Sequence, residues 1–315
     1  MFRAYKPLIL LAMAVTMLLL GGCSNAAVLD PKGPVAEQQK DLILLSIGFM
    51  LFIVGVVFVL FTIILVKYRE RKNSKSKYDP DNEGNTFLEV VWTVIPIIIV
   101  TALAIPTVRT IYSLEEAPKV SENEEPLVVY ATSVDWKWIF SYPEQEIETV
   151  NYLNIPTDRP ILFKLTSADS MNSLWIPQLG GQEYAMAGME MEQYLQADEE
   201  GTYKGRNANF NGDGFAEQKF NVNAMEENDF NEWVSQTQGD APKLTEDMYN
   251  YLMLPEHVGE QEYSSTHLGF VSHGEDAEYA LGAREKLGFK PTLPHSKAHT
   301  EQPSFYDKYE DPKEK

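Results

Sequence analysis

"LILLSIGFMLFIVGVVFVLFTIILV", residues 42–66, holds no charged side chain. Coiled as a helix at about 1.5 Å per residue it reaches roughly 37 Å, enough to cross an apolar bilayer core of about 30 Å with some tilt. The first third of the chain is therefore a membrane part, and the remainder is organised around it.

On its N-terminal side, "MFRAYKPLILLAMAVTMLLLGGC" at residues 1–23 carries Arg3 and Lys6, an apolar run from Leu8 to Leu20, two glycines and the only cysteine, Cys23. A charged start, a short apolar stretch and small residues before a cut site describe a secretory signal over 1–22. "LGGC" at 20–23 resembles the lipobox of bacterial lipoproteins, in which the cysteine is diacylated and becomes the new N-terminus. The alternative is an uncleaved third helix with a buried cysteine, for which the run is short. Residues 23–41 then form an external segment.

On the other side, "KYRERKNSKSKYDPDNEGNT" places Lys67, Arg69, Arg71, Lys72, Lys75 and Lys77 in one short loop. Basic residues beside helix ends stay on the cytoplasmic side. A second apolar run, "FLEVVWTVIPIIIVTALAIP" from Phe87 to Pro106, returns the chain outward and completes a hairpin over 42–112. This orientation agrees with a lipidated, external Cys23.

The formal net charge is −20 and the pI about 4.6, which excludes nucleic acid as a partner because phosphate contacts need clustered Lys and Arg. Such a surface suits a soluble face kept apart by its own charge, or a basic protein partner. One cysteine excludes an intrachain disulfide and a cysteine-based metal cluster. The histidines (His257, His267, His273, His295 and His299) all lie in the last fifth, so a metal site in residues 120–220 would have neither Cys nor His.

From about Leu127 the pattern becomes short alternating runs. In "ILFKLT", Ile161, Phe163 and Leu165 alternate with Leu162, Lys164 and Thr166, the two-residue period of a half-buried strand. Several such runs broken by Pro and Gly predict a small antiparallel β-sandwich or barrel over 125–225. Helical spacing returns in "NDFNEWVSQTQ" (Phe230, Trp233, Val234), and Thr245 is placed to cap "KLTEDMYNYLML", giving a helical extension over 226–273. Residues 274–315 are polar and are expected to be disordered.

Within the β-region, "GTYKGRNANFNGDGFAEQ" at 201–218 sets Asn207, Asn209 and Asn211 at every second position of a glycine-bracketed loop, where a soft metal would need thiolates or imidazoles. Met171, Met186, Met189 and Met191 offer soft sulfur, better suited to packing or partner contact than to copper without a nearby His or Cys. Trp136 and Trp138 share one face of a strand and read as core anchors, electron relay being the other use. Glu89 sits three residues into the second apolar run, with Thr93 and Pro96 on the same helical face. It is either a proton-handling group at the cytoplasmic side or an interfacial acid whose carboxylate reaches water.

Together, "LEVVWTVIP", "DWKWIFSYPEQ", "NIPTDRPILFKLTSADSMNSLWIPQLGGQEYAMAGM", "GTYKGRNANFNGDGFAEQKF" and the "FNEWV" and "LTEDMYNYLMLP" tail resemble subunit II of the bacterial haem-copper quinol oxidases over residues 40–270. The resemblance implies a membrane α plus all-β chain: a two-helix transmembrane hairpin, then an external cupredoxin-like β-sandwich or barrel and a short helical C-terminal extension. The related cytochrome c oxidases keep a two-copper centre in this domain. Against their ligand pattern the first His becomes Asn172, the two Cys become Asn207 and Asn211, the Glu whose carbonyl ligates becomes Asn209, the second His becomes Phe215 and the Met becomes Gln218.

The resemblance further implies no redox cofactor or metal in this chain, haems and copper in subunit I, and quinol, most often menaquinol, as the reductant of the complex. Partners would be subunit I, smaller membrane subunits and lipid, with no role for cytochrome c, in a two-pass location in a bacterial cell membrane. Glu89 would lie near the entrance of a proton channel in a proton-pumping oxidase. A competing reading, a surface lipoprotein that binds a ligand through its β-domain, leaves two long spans and Glu89 unused.

Overall fold

The structure, a computed structural model, describes residues 26–69, 84–118, 125–290 and 302–309. Cys23, most of the basic loop, His295 and His299 lie outside them.

Two long helices open the chain, α1 (Pro34–Tyr68) and α2 (Thr86–Leu114), each long and apolar enough to cross a membrane. Pro34 opens α1, where its missing N–H costs nothing. Asn85 caps α2, its side chain accepting from the backbone N–H groups of Phe87 and Leu88. The most apolar stretch of each helix buries nothing within the chain, as expected of surfaces that face lipid or another subunit. Helix α1 begins at Pro34, before the apolar run, and its first turn buries Val35 and Ala36 against the β-domain.

Eleven strands follow: β1 (Leu127–Val134), β2 (Lys137–Tyr142), β3 (Ile147–Val150), β4 (Tyr152–Pro156), β5 (Ile161–Ser167), β6 (Asn172–Trp175), β7 (Glu183–Ala185), β8 (Met191–Leu195), β9 (Gly201–Asn207), β10 (Lys219–Met225) and β11 (Gln261–Tyr263). They form a six-stranded sheet in the order β11-β3-β2-β1-β5-β8 and a five-stranded sheet in the order β4-β10-β9-β6-β7. The sandwich is mixed rather than antiparallel, because β1 runs parallel to β5 and β4 parallel to β10. The β2–β3–β4 excursion separates β1 from β5, so the chain returns beside β1 in the same direction.

One core fills the space between the sheets, with Leu127, Val129 and Ala131 of β1, Trp138 and Phe140 of β2, and Phe220 of β10. Phe140 and Phe220 rings lie 5.0 Å apart at 58°, a tilted geometry that aromatic quadrupoles favour. Ile161, Phe163 and Leu165 face this core as their alternation predicts.

A second core lies on the outer face of the six-stranded sheet. There Val134, Ile139 and Val150 meet Tyr249, Leu252, Val258, Tyr263 and Phe305 from the C-terminal part. Helix α3 (Glu227–Asp240) packs Phe230 and Val234 into the first core, and α4 (Glu246–Leu252) is capped by Thr245, which accepts from the Met248 N–H. The segment expected to be disordered carries helix α5 (Tyr279–Lys286), with Ala280 and Ala283 buried, and a 3-10 turn at Phe305–Asp307, with Phe305 buried. Its few apolar residues are spaced to land on the second core, so low mean hydropathy did not report their burial.

Candidate functional site

The residues at the six expected ligand positions come from three places: the start of β6 (Asn172), the end of β9 (Asn207), and the connection from β9 to β10. Strands β6 and β9 are antiparallel neighbours with Leu174 opposite Asn207, which brings the two strand ends together. The connection folds back over Trp136. A Cβ on Gly214 would sit 2.2 Å from that indole, and Gly212 holds φ +122, so glycine is required at both turns.

Four amides converge there. Asn207 Nδ2 donates to Asn172 Oδ1 at 2.7 Å and to Gln218 Oε1 at 2.9 Å. Asn211 Nδ2 donates to the same two oxygens at 2.7 and 2.9 Å, and to Asp135 Oδ1 at 2.9 Å. With three acceptors around that nitrogen, the opposite amide orientation would set oxygen against oxygen. Asn207 Oδ1 accepts from the backbone N–H groups of Ser173 and Asn209, both at 2.9 Å. Gln218 Nε2 reaches Ser133 Oγ at 2.9 Å and Asn172 Nδ2 reaches the Ser170 carbonyl at 2.7 Å.

Asn172, Asn207 and Gln218 are buried, so their dipoles are satisfied inside the protein rather than by bulk water. Asn209 points its side chain elsewhere, to the Met171 carbonyl at 2.7 Å, and Phe215 packs on the exposed Phe210 with ring centroids 5.4 Å apart. Of the six positions, the structure thus brings together Asn172, Asn207, Asn211 and Gln218, and leaves Asn209 and Phe215 at the rim.

This donor set does not fit copper. Amide oxygens are hard ligands, the amide nitrogens are already donors, and a phenyl ring offers no lone pair, whereas a two-copper centre needs thiolate and imidazole. Among the described residues no group of three or more His, Cys, Asp and Glu is placed to hold a metal ion.

Beneath the amides lies a charge cluster that the sequence did not reveal. Asp135 accepts from Ser170 Oγ at 2.6 Å as well as from Asn211. Burial, and then the nearby Asp169, raise its carboxyl to about 6. Arg284 of α5 pairs with Asp169 and donates through Nε to the Met253 carbonyl at 2.5 Å. Lys137 is fully buried, which pushes its ammonium down to about 7, and its Nζ donates to the Leu254 carbonyl at 2.6 Å. Two buried basic side chains therefore hold the carbonyls of one C-terminal turn.

A second buried group joins the same parts. Glu148 Oε2 takes Ser141 Oγ at 2.6 Å and His267 Nδ1 at 2.7 Å, and Tyr249 stacks on His267 at 4.5 Å. Tyr249 also bonds His273 Nε2 at 2.7 Å, and burial drives the His273 imidazole down to about 3.

Other singled-out residues fall as follows. Trp138 is a core residue, but Trp136 sits in the β1–β2 turn and not on the strand. Two residues of turn remove it from the two-residue alternation, and it instead becomes the floor of the glycine loop. Met191 packs on the first core while Met171 and Met189 are exposed. Glu89 lies exposed in the first turn of α2, its carbonyl accepting from Thr93 Oγ1 at 2.8 Å.

Two spanning helices and an amide-filled sandwich define a membrane-anchored β-domain protein. The family described as "Cytochrome C oxidase subunit II, transmembrane domain" matches residues 25–110. "Quinol oxidase subunit 2" of Bacillus subtilis (strain 168) is 72% identical over 94% of this chain and 93% of its own length. The Bacillus cereus (strain ATCC 10987 / NRS 248) protein of the same name is 50% identical over 85% of this chain and 93% of its own. "Probable quinol oxidase subunit 2" of Staphylococcus epidermidis is 47% identical over 99% of this chain and 80% of its own. Among solved structures, the periplasmic domain of subunit II of cytochrome oxidase of Bradyrhizobium japonicum is 22% identical, covering 38% of this chain and 96% of that one at TM-score 0.35. The chain belongs to the quinol oxidase subunit 2 family.

Proposed function

We propose that this chain is the second subunit of a terminal oxidase that moves electrons from quinol to oxygen, and that it contributes no redox centre of its own. The observation that carries this reading is the amide cluster. Side chains at four positions that would need to bind metal are instead bonded to one another. An apolar quinol reaches the membrane-embedded subunit I from the lipid, so the complex needs no water-facing copper entry. The 72% identical relative named for quinol supports the same donor. Menaquinol as the particular quinol, and haems and copper in subunit I, belong to this proposal.

Within that complex the chain would scaffold subunit I and its smaller membrane partners. Glu89 would stand at the proton entry of a pumping oxidase, and Cys23 would carry the lipid anchor, with the β-domain on the external face. Mass spectrometry of the mature chain tests the anchor, since Cys23→Ser would abolish the mass added by acylation. The copper-free reading is tested by incubating the purified full chain with copper under reducing and oxidising conditions. It predicts no stoichiometric uptake after desalting; a bound pair per chain would end it.

A further inference from the structure

The outer face of the five-stranded sheet is built as rungs of side chains crossing β4, β10, β9 and β6. In the first rung Thr202 Oγ1 donates to Asn223 Oδ1 at 3.0 Å, and Asn223 Nδ2 donates to Asn154 Oδ1 at 2.9 Å. In the second, Lys204 Nζ donates to Asn221 Oδ1 at 2.6 Å, and Asn221 Nδ2 donates to Glu260 Oε1 at 3.1 Å. Each rung pairs donors with acceptors, as a sheet surface should.

The third rung breaks the rule. Lys219 of β10 lies directly opposite Arg206 of β9, and Arg206 lies directly opposite Trp175 of β6. Two like charges face each other across an antiparallel pair, an arrangement that is unfavourable on its own. Neither cation forms an ion pair with a carboxylate among the described residues, although the chain holds 46 acidic residues against 26 basic ones. Arg206 is fixed with its guanidinium 4.5 Å from the Trp175 ring centroid. Such stacking leaves the planar N–H fork free to bind an oxyanion edge-on. The rung lines a cavity of ≈ 470 Å³ whose walls also include Gln182 and Phe215.

The geometry points to a binding site for a small oxyanion ligand, a phosphate or carboxylate group held between Arg206 and Lys219 with any apolar portion against Phe215. The missing acceptor of the third rung would then be the ligand. The site adjoins the amide cluster, since Asn207 also lines the cavity, but its charged groups, Arg206 and Lys219, belong to the opposite face of the sheet strands and do not depend on the proposed electron donor.

The test uses the full chain in neutral detergent at constant ionic strength, titrated calorimetrically with inorganic phosphate against a chloride control. Saturable binding at one site is expected, weakened at least about tenfold by Arg206→Gln or by Lys219→Gln, the loss expected for one charge-assisted hydrogen bond. Lys204→Gln, one rung away, should change it less than about twofold, and all three variants should unfold within about 2 °C of the parent because the side chains are exposed. A second arm dopes the micelles with phosphatidylglycerol or phosphatidylcholine. Arg206-dependent binding of the anionic lipid without binding of phosphate assigns the group to a lipid head, and binding of phosphate assigns it to a soluble ion. No saturable binding of either probe, or equal binding by parent and Arg206→Gln, overturns the site.

Discussion

If the amides hold the ends of β6 and β9 and their connection to β10 together, Asn207 should be the costliest of them to lose. Asn207→Leu keeps the size but removes the oxygen that accepts from the Ser173 and Asn209 N–H groups. Asn172 Oδ1 and Gln218 Oε1 lose a donor yet keep Asn211. The real deficit is therefore two backbone donors, one of them fully buried. An orphaned buried donor costs about 1–3 kcal/mol, and the leucine recovers part of this through apolar burial, so about 3 kcal/mol is expected. For a domain of this size that lowers Tm by about 6–12 °C. Asn207→Asp should cost still more at neutral pH, because a carboxylate oxygen would replace the nitrogen that now faces two oxygens. Its folded pKa would be raised, so the deficit should shrink as pH falls and the acid regains a proton to donate. Thermal unfolding of the full chain in detergent measures both, with Asn209→Ala as the control, since that side chain makes one bond at the rim. Equal losses for Asn207→Leu and Asn209→Ala would refute the reasoning.

Other expectations concern the charges beneath. Arg284→Met removes the partner of Asp169 and should destabilise by about 3–5 kcal/mol, read as lost protection from limited proteolysis of the C-terminal part. Lys137 has a folded pKa below its unfolded value, so the cost of burying its charge is full below about pH 7 and is relieved as pH rises toward 10.5. Across that window Lys137→Met should flatten the pH slope of unfolding by up to about 1.4 kcal/mol per pH unit relative to the parent. If Glu89 stands at the proton entry as proposed, Glu89→Gln should slow oxygen reduction by the assembled oxidase without changing subunit stoichiometry. Turnover equal to the parent would leave Glu89 as an interfacial acid.

The parts of the fold legible in the sequence are those coded locally. Long apolar runs marked the hairpin, the alternation of Ile161, Phe163 and Leu165 marked a strand with the correct inner face, and Thr245 marked a helix start. The convergence of Asn172, Asn207, Asn211 and Gln218 was legible only through the family pattern, since 45 residues of chain separate the first from the last and no spacing rule joins them. Parallel pairing of β1 with β5 was hidden because a strand's own residues do not state the direction of its neighbour. Lys137 and Glu148 are surface residues by type, yet the C-terminal extension, which itself supplies His267, covers the sheet face that carries them. Burial of that face is a consequence of tertiary packing, and the alternating pattern of β2 gives no sign of it.

If the proposed function holds, a domain whose candidate ligand positions carry amide side chains hydrogen-bonded to one another should not receive electrons from a water-soluble carrier. Oxygen uptake by the native complex, supplied in turn with a reduced quinol and with reduced cytochrome c, tests it most directly. Respiration on quinol and none above background on cytochrome c is the expected result; the reverse pattern would contradict the proposed function.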